Sequence, residues 1–181
     1  MTALLTHVPS VETERLILRG WDEDDVDTMI AIFTDEETMT YLGGVANDFT
    51  AWRAVAGQIG HWAMRGYGFF AIEEKQTAAC IGWCGPWFPR GWPDREIGWT
   101  LKPGHRGKGY ATEAAHASLH FAYTELGWQS AISLIDKDNA PSIAVAERLG
   151  ASREQSDAKV TDFTCDIYRH LPAEEFLKHA A

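Results

Sequence analysis

The chain has 181 residues, 45% of them hydrophobic and 23% charged, enough to bury one substantial core and within the range of a single domain. A formal net charge of −10, with no concentrated basic stretch, excludes a nucleic-acid surface and suits either solubility or the attraction of a cationic small molecule. No run approaches the ~18 uninterrupted apolar residues of a membrane span, and MTALLTHVPS has no basic leader, so a cytoplasmic protein with no membrane partner is expected.

In chain order, Glu14 to Arg19 alternates as a first strand. WDEDD then starts a helix with acids where the helix dipole favours them, and Val26, Met29, Ile30 and Phe33 recur at helical spacing. A second helix opens near Thr50 as N-cap, carries Trp52, Val55, Ile59 and Trp62 on one face and stops at Gly66. Tyr67–Ile72 and Ala78–Cys84 form two strands around the turn EEKQT. Cys80 and Cys84 sit at period-two spacing and are expected on one side of the sheet; with Cys165 they read as buried thiols rather than a disulfide or metal set. The prolines of GPWFPRGWPD, residues 85–94, argue against a central strand there, and the rings of Trp87, Phe88 and Trp92 either fold back on the core or wall something bound at the sheet.

An apolar strand, Ile97, Trp99 and Leu101, then ends at Lys102-Pro103-Gly104, and a glycine-rich turn leads into a long alanine-rich helix. Beyond it come a strand at Ala131–Ile135, the turn DKDN, a short helix from Pro141 to Leu149 capped by Asn139 or Ala140, a strand at Phe163–Arg169 and a terminal helix in PAEEFLKH. No repeat or linker interrupts this order, which describes one α/β domain with a mixed sheet over residues 1–181.

The turn carries the chemistry. In Arg106-Gly107-Lys108-Gly109-Tyr110-Ala111 the glycines let backbone N–H groups approach an anion, and the following helix aims its unpaired N–H groups and positive dipole end at the same place. Arg106 and Lys108 add charge, and a pyrophosphate would satisfy the converging donors. A P-loop is excluded because Gly109, not Ser or Thr, follows Lys108; a dinucleotide fingerprint is excluded by Thr112. His116 and His120 have zinc-like spacing, but Ala117 stands where a zinc-protease glutamate would, so no metal is expected.

Arg-x-x-Gly-x-Ala resembles the (Gln/Arg)-x-x-Gly-x-(Gly/Ala) pyrophosphate loop of the GNAT superfamily of acyl-CoA-dependent N-acetyltransferases. EIGWTLKPGHRGKGYATEA and NAPSIAVAERLGA are similar to its Rim-type branch, which includes ribosomal-protein N-terminal acetyltransferases, and the order of elements agrees over about residues 12–170. The resemblance implies the GNAT acyl-CoA N-acyltransferase fold: a strand, two helices, three antiparallel strands, the pyrophosphate helix, a parallel fifth strand, a short helix, a final hairpin and here a C-terminal helix. Acetyl-CoA would sit between splayed fourth and fifth strands. The backbone of Trp99, Thr100 and Leu101 would pair with its pantetheine arm, Arg106, Gly107, Lys108, Gly109, Tyr110 and Ala111 would hold its pyrophosphate, and Asn139 and Ser142 would contact the arm near the thiol.

Acetyl transfer to a primary amine needs a base for the ammonium, stabilisation of the developing oxyanion and a proton for the departing thiolate. Glu96, at the start of the strand bordering the gap, is the first candidate base and Asp94 a weaker one. Where many superfamily members carry an acid tyrosine this chain has Ala146; the Rim-type resemblance points instead to Ser142, with Tyr168 as an outside alternative. The acceptor is either a protein N-terminus or a small-molecule amine, and a homodimer is left open. A non-catalytic acyl-CoA-binding or regulatory module is the competing reading, supported by Ala146 and opposed by Glu96 and Ser142.

Overall fold

A computed structural model describes residues 8–179. Strands β1 (Val11–Glu12) and β2 (Leu16–Arg19) are followed by helices α1 (Asp25–Phe33), α2 (Glu36–Met39) and α3 (Asp48–Arg65). Strands β3 (Phe70–Glu74), β4 (Ala79–Trp87) and β5 (Glu96–Leu101) lead to α4 (Tyr110–Thr124). After it come β6 (Ile132–Ile135), α5 (Ala140–Arg148), the hairpin β7 (Ser152–Val160) and β8 (Phe163–Arg169), and α6 (Ala173–His179). The strands make one mixed sheet in the order β1-β2-β3-β4-β5-β6-β8-β7, antiparallel throughout except for the β5–β6 pair. This is the architecture the resemblance implied, with β1 and α2 added, and among the described residues no helix is long and apolar enough to cross a membrane.

Adjacent residues of β4 show how the sheet is covered. Trp83 stacks on Phe33 of α1 at 5.0 Å, whereas the Cys84 thiol lies 3.3 Å from the Ser118 hydroxyl of α4, so the two helices lie on opposite faces. Ile97, Leu119, Ile72 and Trp21 are completely buried between these layers. The Trp21 and Trp62 indoles both donate to the Phe69 carbonyl at 2.8 Å, which pins the residue before β3 between the segment leading into α1 and helix α3. Asp25, read from the sequence as a dipole-favoured acid, is instead buried and takes a two-pronged hydrogen bond from Arg19, which also binds Glu73.

Several boundaries differ from expectation. The N-cap of α3 is Asn47, whose side chain accepts from the Thr50 N–H. Strand β4 runs through Pro86 to Trp87, although its prolines argued against a central strand. It does so because β3 begins at Phe70 opposite Cys84, so Pro86 lies beyond that neighbour and pairs only with β5, opposite Ile97. The register also slips within β4, where Ile72 faces Gly82 and Glu73 faces Cys80, leaving Ile81 as the extra residue of a bulge. The bulge resets the alternation, so Cys80 turns towards Asp25 of α1 while Cys84 turns to α4; the expectation that both face one side is corrected. All three thiols are free, with Cys84 and Cys165 buried and Cys80 half-buried.

Gly82 is fixed by this bulge. Its φ is +155°, and a Cβ there would lie 2.1 Å from the Thr100 carbonyl oxygen, a backbone atom that cannot step aside alone. Gly82→Ala should therefore destabilise the fold by roughly 3 kcal/mol, read as a lower urea midpoint. An unchanged midpoint would show that β4 and β5 do not need this close approach.

Candidate active site

The site begins where β5 and β6 part. They share one register pair, Glu96 opposite Ile132, and the Ile132 N–H reaches the Arg95 carbonyl at 2.8 Å. In a continued parallel ladder the Leu134 N–H would next find the Ile97 carbonyl. Instead it points to the Glu96 carboxylate at 3.4 Å, and the Ile97 carbonyl accepts the Ser133 hydroxyl at 2.6 Å. The His170 ring nitrogen Nε2 lies 2.8 Å from that same hydroxyl; with the Ser133 proton given to Ile97, His170 donates. Side chains thus satisfy the backbone groups that the diverging strands abandon.

Two cavities open in the gap. One of about 590 Å³ is lined by Glu96, Ser133, Cys165 and the rings of Phe69, Trp87 and Trp92, among others. The other, of about 930 Å³, runs along Trp99, Thr100 and Leu101 to Arg106, Gly107, Gly109 and the first turn of α4. Tyr41, Leu42, Trp99, Thr100, Asn139 and Ser142 line both. The predicted coenzyme residues and the predicted base therefore stand on two sides of one shared wall.

Glu96 is buried, 8% exposed, and its Oε2 accepts the Trp92 indole N–H at 2.5 Å. Burial pushes its pKa up to about 7 against the opposing pull of the Trp92 and Leu134 hydrogen bonds. Asp94 lies in neither cavity lining; burial acts to raise its pKa, but the Arg169 hydrogen bond at 2.6 Å holds it below the usual carboxylate range. It is a structural ion-pair partner rather than a second base. Tyr168 packs with Ile135, Ala146 and Ala151 and lines neither cavity, so the outside candidate for the acid is not at the site. Ala146 is fully buried in that same cluster.

Asn139 caps α5 by accepting from the Ser142 N–H at 3.2 Å. Among the described residues the Ser142 hydroxyl bonds no protein group, and Ser142 borders both cavities.

At the other end, Gly109 is the N-cap of α4 at φ +82° and offers no side-chain cap, leaving the N–H groups of the first turn for a ligand. The charged side chains behave differently from expectation. Arg106 spends its guanidinium on α2, donating to Glu37 at 2.7 Å and to the Thr38 hydroxyl at 2.6 Å. Lys108 is absent from the cavity wall, with its ammonium 5.9 Å from the centre of the Tyr110 ring. The Tyr110 hydroxyl donates to Glu74 at 2.6 Å, tying the start of α4 to the end of β3.

Arg15, which sequence reasoning did not single out, braces the turn: it donates to Glu113 at 2.7 Å and to the Lys108 carbonyl at 2.8 Å, and lines the larger cavity. Its partners lie more than 90 residues away, so no local pattern could have marked it. Trp92 stands out in the sequence only as one of a group of loop aromatics, and its bond to Glu96 has no sequence signature.

Residues 15–152 match the family model described as an acetyltransferase (GNAT) domain. An uncharacterised Bacillus subtilis protein, YkkB, is 34% identical over 146 residues, covering 76% of this chain and 82% of that protein. The crystal structure of an acetyltransferase from Agrobacterium tumefaciens superposes with a TM-score of 0.83 at 30% identity, covering 94% of this chain and 99% of the other. The fold extends to RimL, named a ribosomal L7/L12 alpha-N-protein acetyltransferase, with a TM-score of 0.70 at 18% identity over 91% of this chain and 94% of that one.

The Glu96 environment has a thermodynamic signature. Its folded pKa of about 7 lies above the ordinary 4.5, so the folded chain holds this proton more tightly than the unfolded one. The associated stability is fully present below about pH 4.5 and is lost as pH rises from there through about 7. Glu96→Gln should remove that loss, so that the stability of the variant relative to the parent rises by up to roughly 3 kcal/mol between pH 4 and pH 8 in urea titrations. A pH-independent difference would mean that Glu96 is not held in a desolvated site.

Proposed function

The chain belongs to the GNAT acetyltransferase family, and on that premise we propose that it transfers an acetyl group from acetyl-CoA directly to a primary amine within a ternary complex. The observation that carries this is the pair of cavities sharing the wall of Trp99, Thr100, Asn139 and Ser142, with a buried carboxyl in one and an uncapped, glycine-led helix N-terminus in the other. Two substrates bound on either side of that wall can meet without a covalent enzyme intermediate.

The larger cavity fits acetyl-CoA. The first-turn N–H groups of α4, with the backbone of Gly107 and Gly109, supply converging donors for a pyrophosphate, and Arg15 and Arg148 lie in the same wall. Beside the departed β6, the edge of β5 at Trp99, Thr100 and Leu101 offers strand-like backbone pairing to an extended amide-bearing arm. Acetyl-CoA supplies the activated thioester; the chain supplies position and proton traffic.

In the smaller cavity Glu96 accepts the proton that an ammonium must lose before its nitrogen can attack. A carboxyl with a pKa of about 7 is well matched to that task, being ionised in an appreciable fraction near neutral pH while still returning a proton readily. The C–N bond forms and the C–S bond breaks, and the second proton of the nitrogen passes through the Ser142 hydroxyl to the departing sulfur, so that Ser142 ends as it began and Glu96 gives its proton to solvent. The Trp92 indole keeps the Glu96 carboxyl in place and limits its access to water.

The parent kcat/KM should rise with pH through about 7 as Glu96 ionises, and Glu96→Gln should flatten that inflection and lower the plateau by about a hundredfold. An inflection that survives the substitution would assign the titration to another group. Ser142→Ala should reduce kcat by roughly ten- to a hundredfold while acetyl-CoA affinity, measured by calorimetry, stays within a few fold. Unchanged turnover would remove Ser142 from the acid role.

A further inference from the structure

The smaller cavity is more selective than an amine pocket needs to be. Its walls include Trp87 stacked on Phe69 at 4.6 Å with the planes 5° apart, Trp83 stacked on Phe33, and Trp92 tilted against Phe163 at 5.8 Å. These pairs make flat apolar faces fixed in orientation, and Trp92 is further tied by its bond to Glu96. The cation–π contacts among the described residues fall on Tyr110, Phe49, Phe88 and Trp128, none of which lines this cavity. No cation of the protein itself therefore engages the rings of this cavity, and Trp87, held between Phe69 and His61, offers its edge rather than a face.

Its charges are few and of one sign. No Lys, Arg or His lines it; the ionisable acids are Glu96 and Asp136, and the half-buried Asp136 carboxylate already accepts the Asp138 N–H at 2.9 Å. A polyamine would bring two or more ammonium groups to a wall whose second acid, Asp136, is half-buried and already holds a backbone N–H, leaving a cation poorly paired among apolar rings. A zwitterionic amino acid would bring a carboxylate to two acids and no cation. An aromatic ring carrying one ammonium group, in contrast, packs against this fixed aromatic wall, edge to face or offset, while its nitrogen is drawn to Glu96. A volume of about 590 Å³ lies in the range of small-molecule sites.

Resting on the transferase reading above, we infer that the acceptor is a small aromatic monoamine: a flat apolar body, one cationic nitrogen and no carboxylate. The probe is 2-phenylethylamine, compared with spermidine, phenylalanine and a pentapeptide bearing an N-terminal alanine, by thiol release from acetyl-CoA and by quenching of intrinsic tryptophan fluorescence. Expected is a kcat/KM for 2-phenylethylamine at least about tenfold above each of the others, with saturable quenching that does not require turnover. Phe163→Ala, at a side chain 39% exposed and so tolerant of truncation, should raise the KM for 2-phenylethylamine about five- to tenfold and leave acetyl-CoA affinity unchanged.

Preferred acetylation of spermidine, phenylalanine or the peptide would overturn this acceptor class while leaving acetyl transfer intact. Quenching by 2-phenylethylamine with no thiol release from any amine would uphold the aromatic amine site and overturn the transferase reading. Neither quenching nor release with 2-phenylethylamine would overturn the inference.

Discussion

The structure depends on one failure of strand pairing. β5 and β6 run together for a single register pair and then separate, and everything assigned to function lies in or beside the space that opens. A sheet pulled apart leaves backbone donors and acceptors unsatisfied, and each must be met by a side chain, by water or by a ligand. Here Glu96 takes the Leu134 N–H and Ser133 takes the Ile97 carbonyl at the start of the gap, while further along the β5 edge stays open. The carboxyl proposed as base is therefore also a structural plug, and its burial follows from the same divergence that creates the cavity.

Around the gap, opposing layers hold the walls in place. α4 and the turn before it close one end, braced by Arg15 through Glu113 and the Lys108 carbonyl and anchored by the Tyr110–Glu74 bond. The aromatic loop closes the other: the two indoles on the Phe69 carbonyl set the ring that Trp87 stacks on, and the His61 ring stacks on Trp87 from the opposite side at 4.2 Å. His61 reaches the Tyr67 carbonyl through Nδ1 and accepts the Phe88 N–H through Nε2, which requires the neutral ring that its buried position favours. Arg106 joins the glycine turn before α4 to α2, whose following residues Tyr41 and Leu42 line both cavities, so the same short segment borders the places proposed for both substrates.

Local signals in the sequence were read well where local physics decides the outcome. Gly66 in the left-handed region ends α3, Asn139 caps α5, and the glycine turn opens α4 without a side-chain cap. Errors arose where a distant neighbour decides. Pro86 is tolerated because β3 is too short to need its missing N–H, and Cys80 and Cys84 are separated by a bulge that only the β3 and β5 registers define. Asp25 looked like a helix-start acid and is the buried partner of Arg19. At the site, Glu96, Ser142 and the turn were nameable from pattern and resemblance, whereas the bracing contacts of Arg15 and the Trp92–Glu96 bond exist only through contacts between segments remote in the chain or shaped by the loop.

The central claim is that the shared wall brings both substrates together at once. Initial velocities measured over a grid of acetyl-CoA and amine concentrations test it most directly. Direct transfer in a ternary complex predicts double-reciprocal lines that intersect to the left of the ordinate. Parallel lines, the mark of an acetylated enzyme formed before the amine binds, would contradict the account.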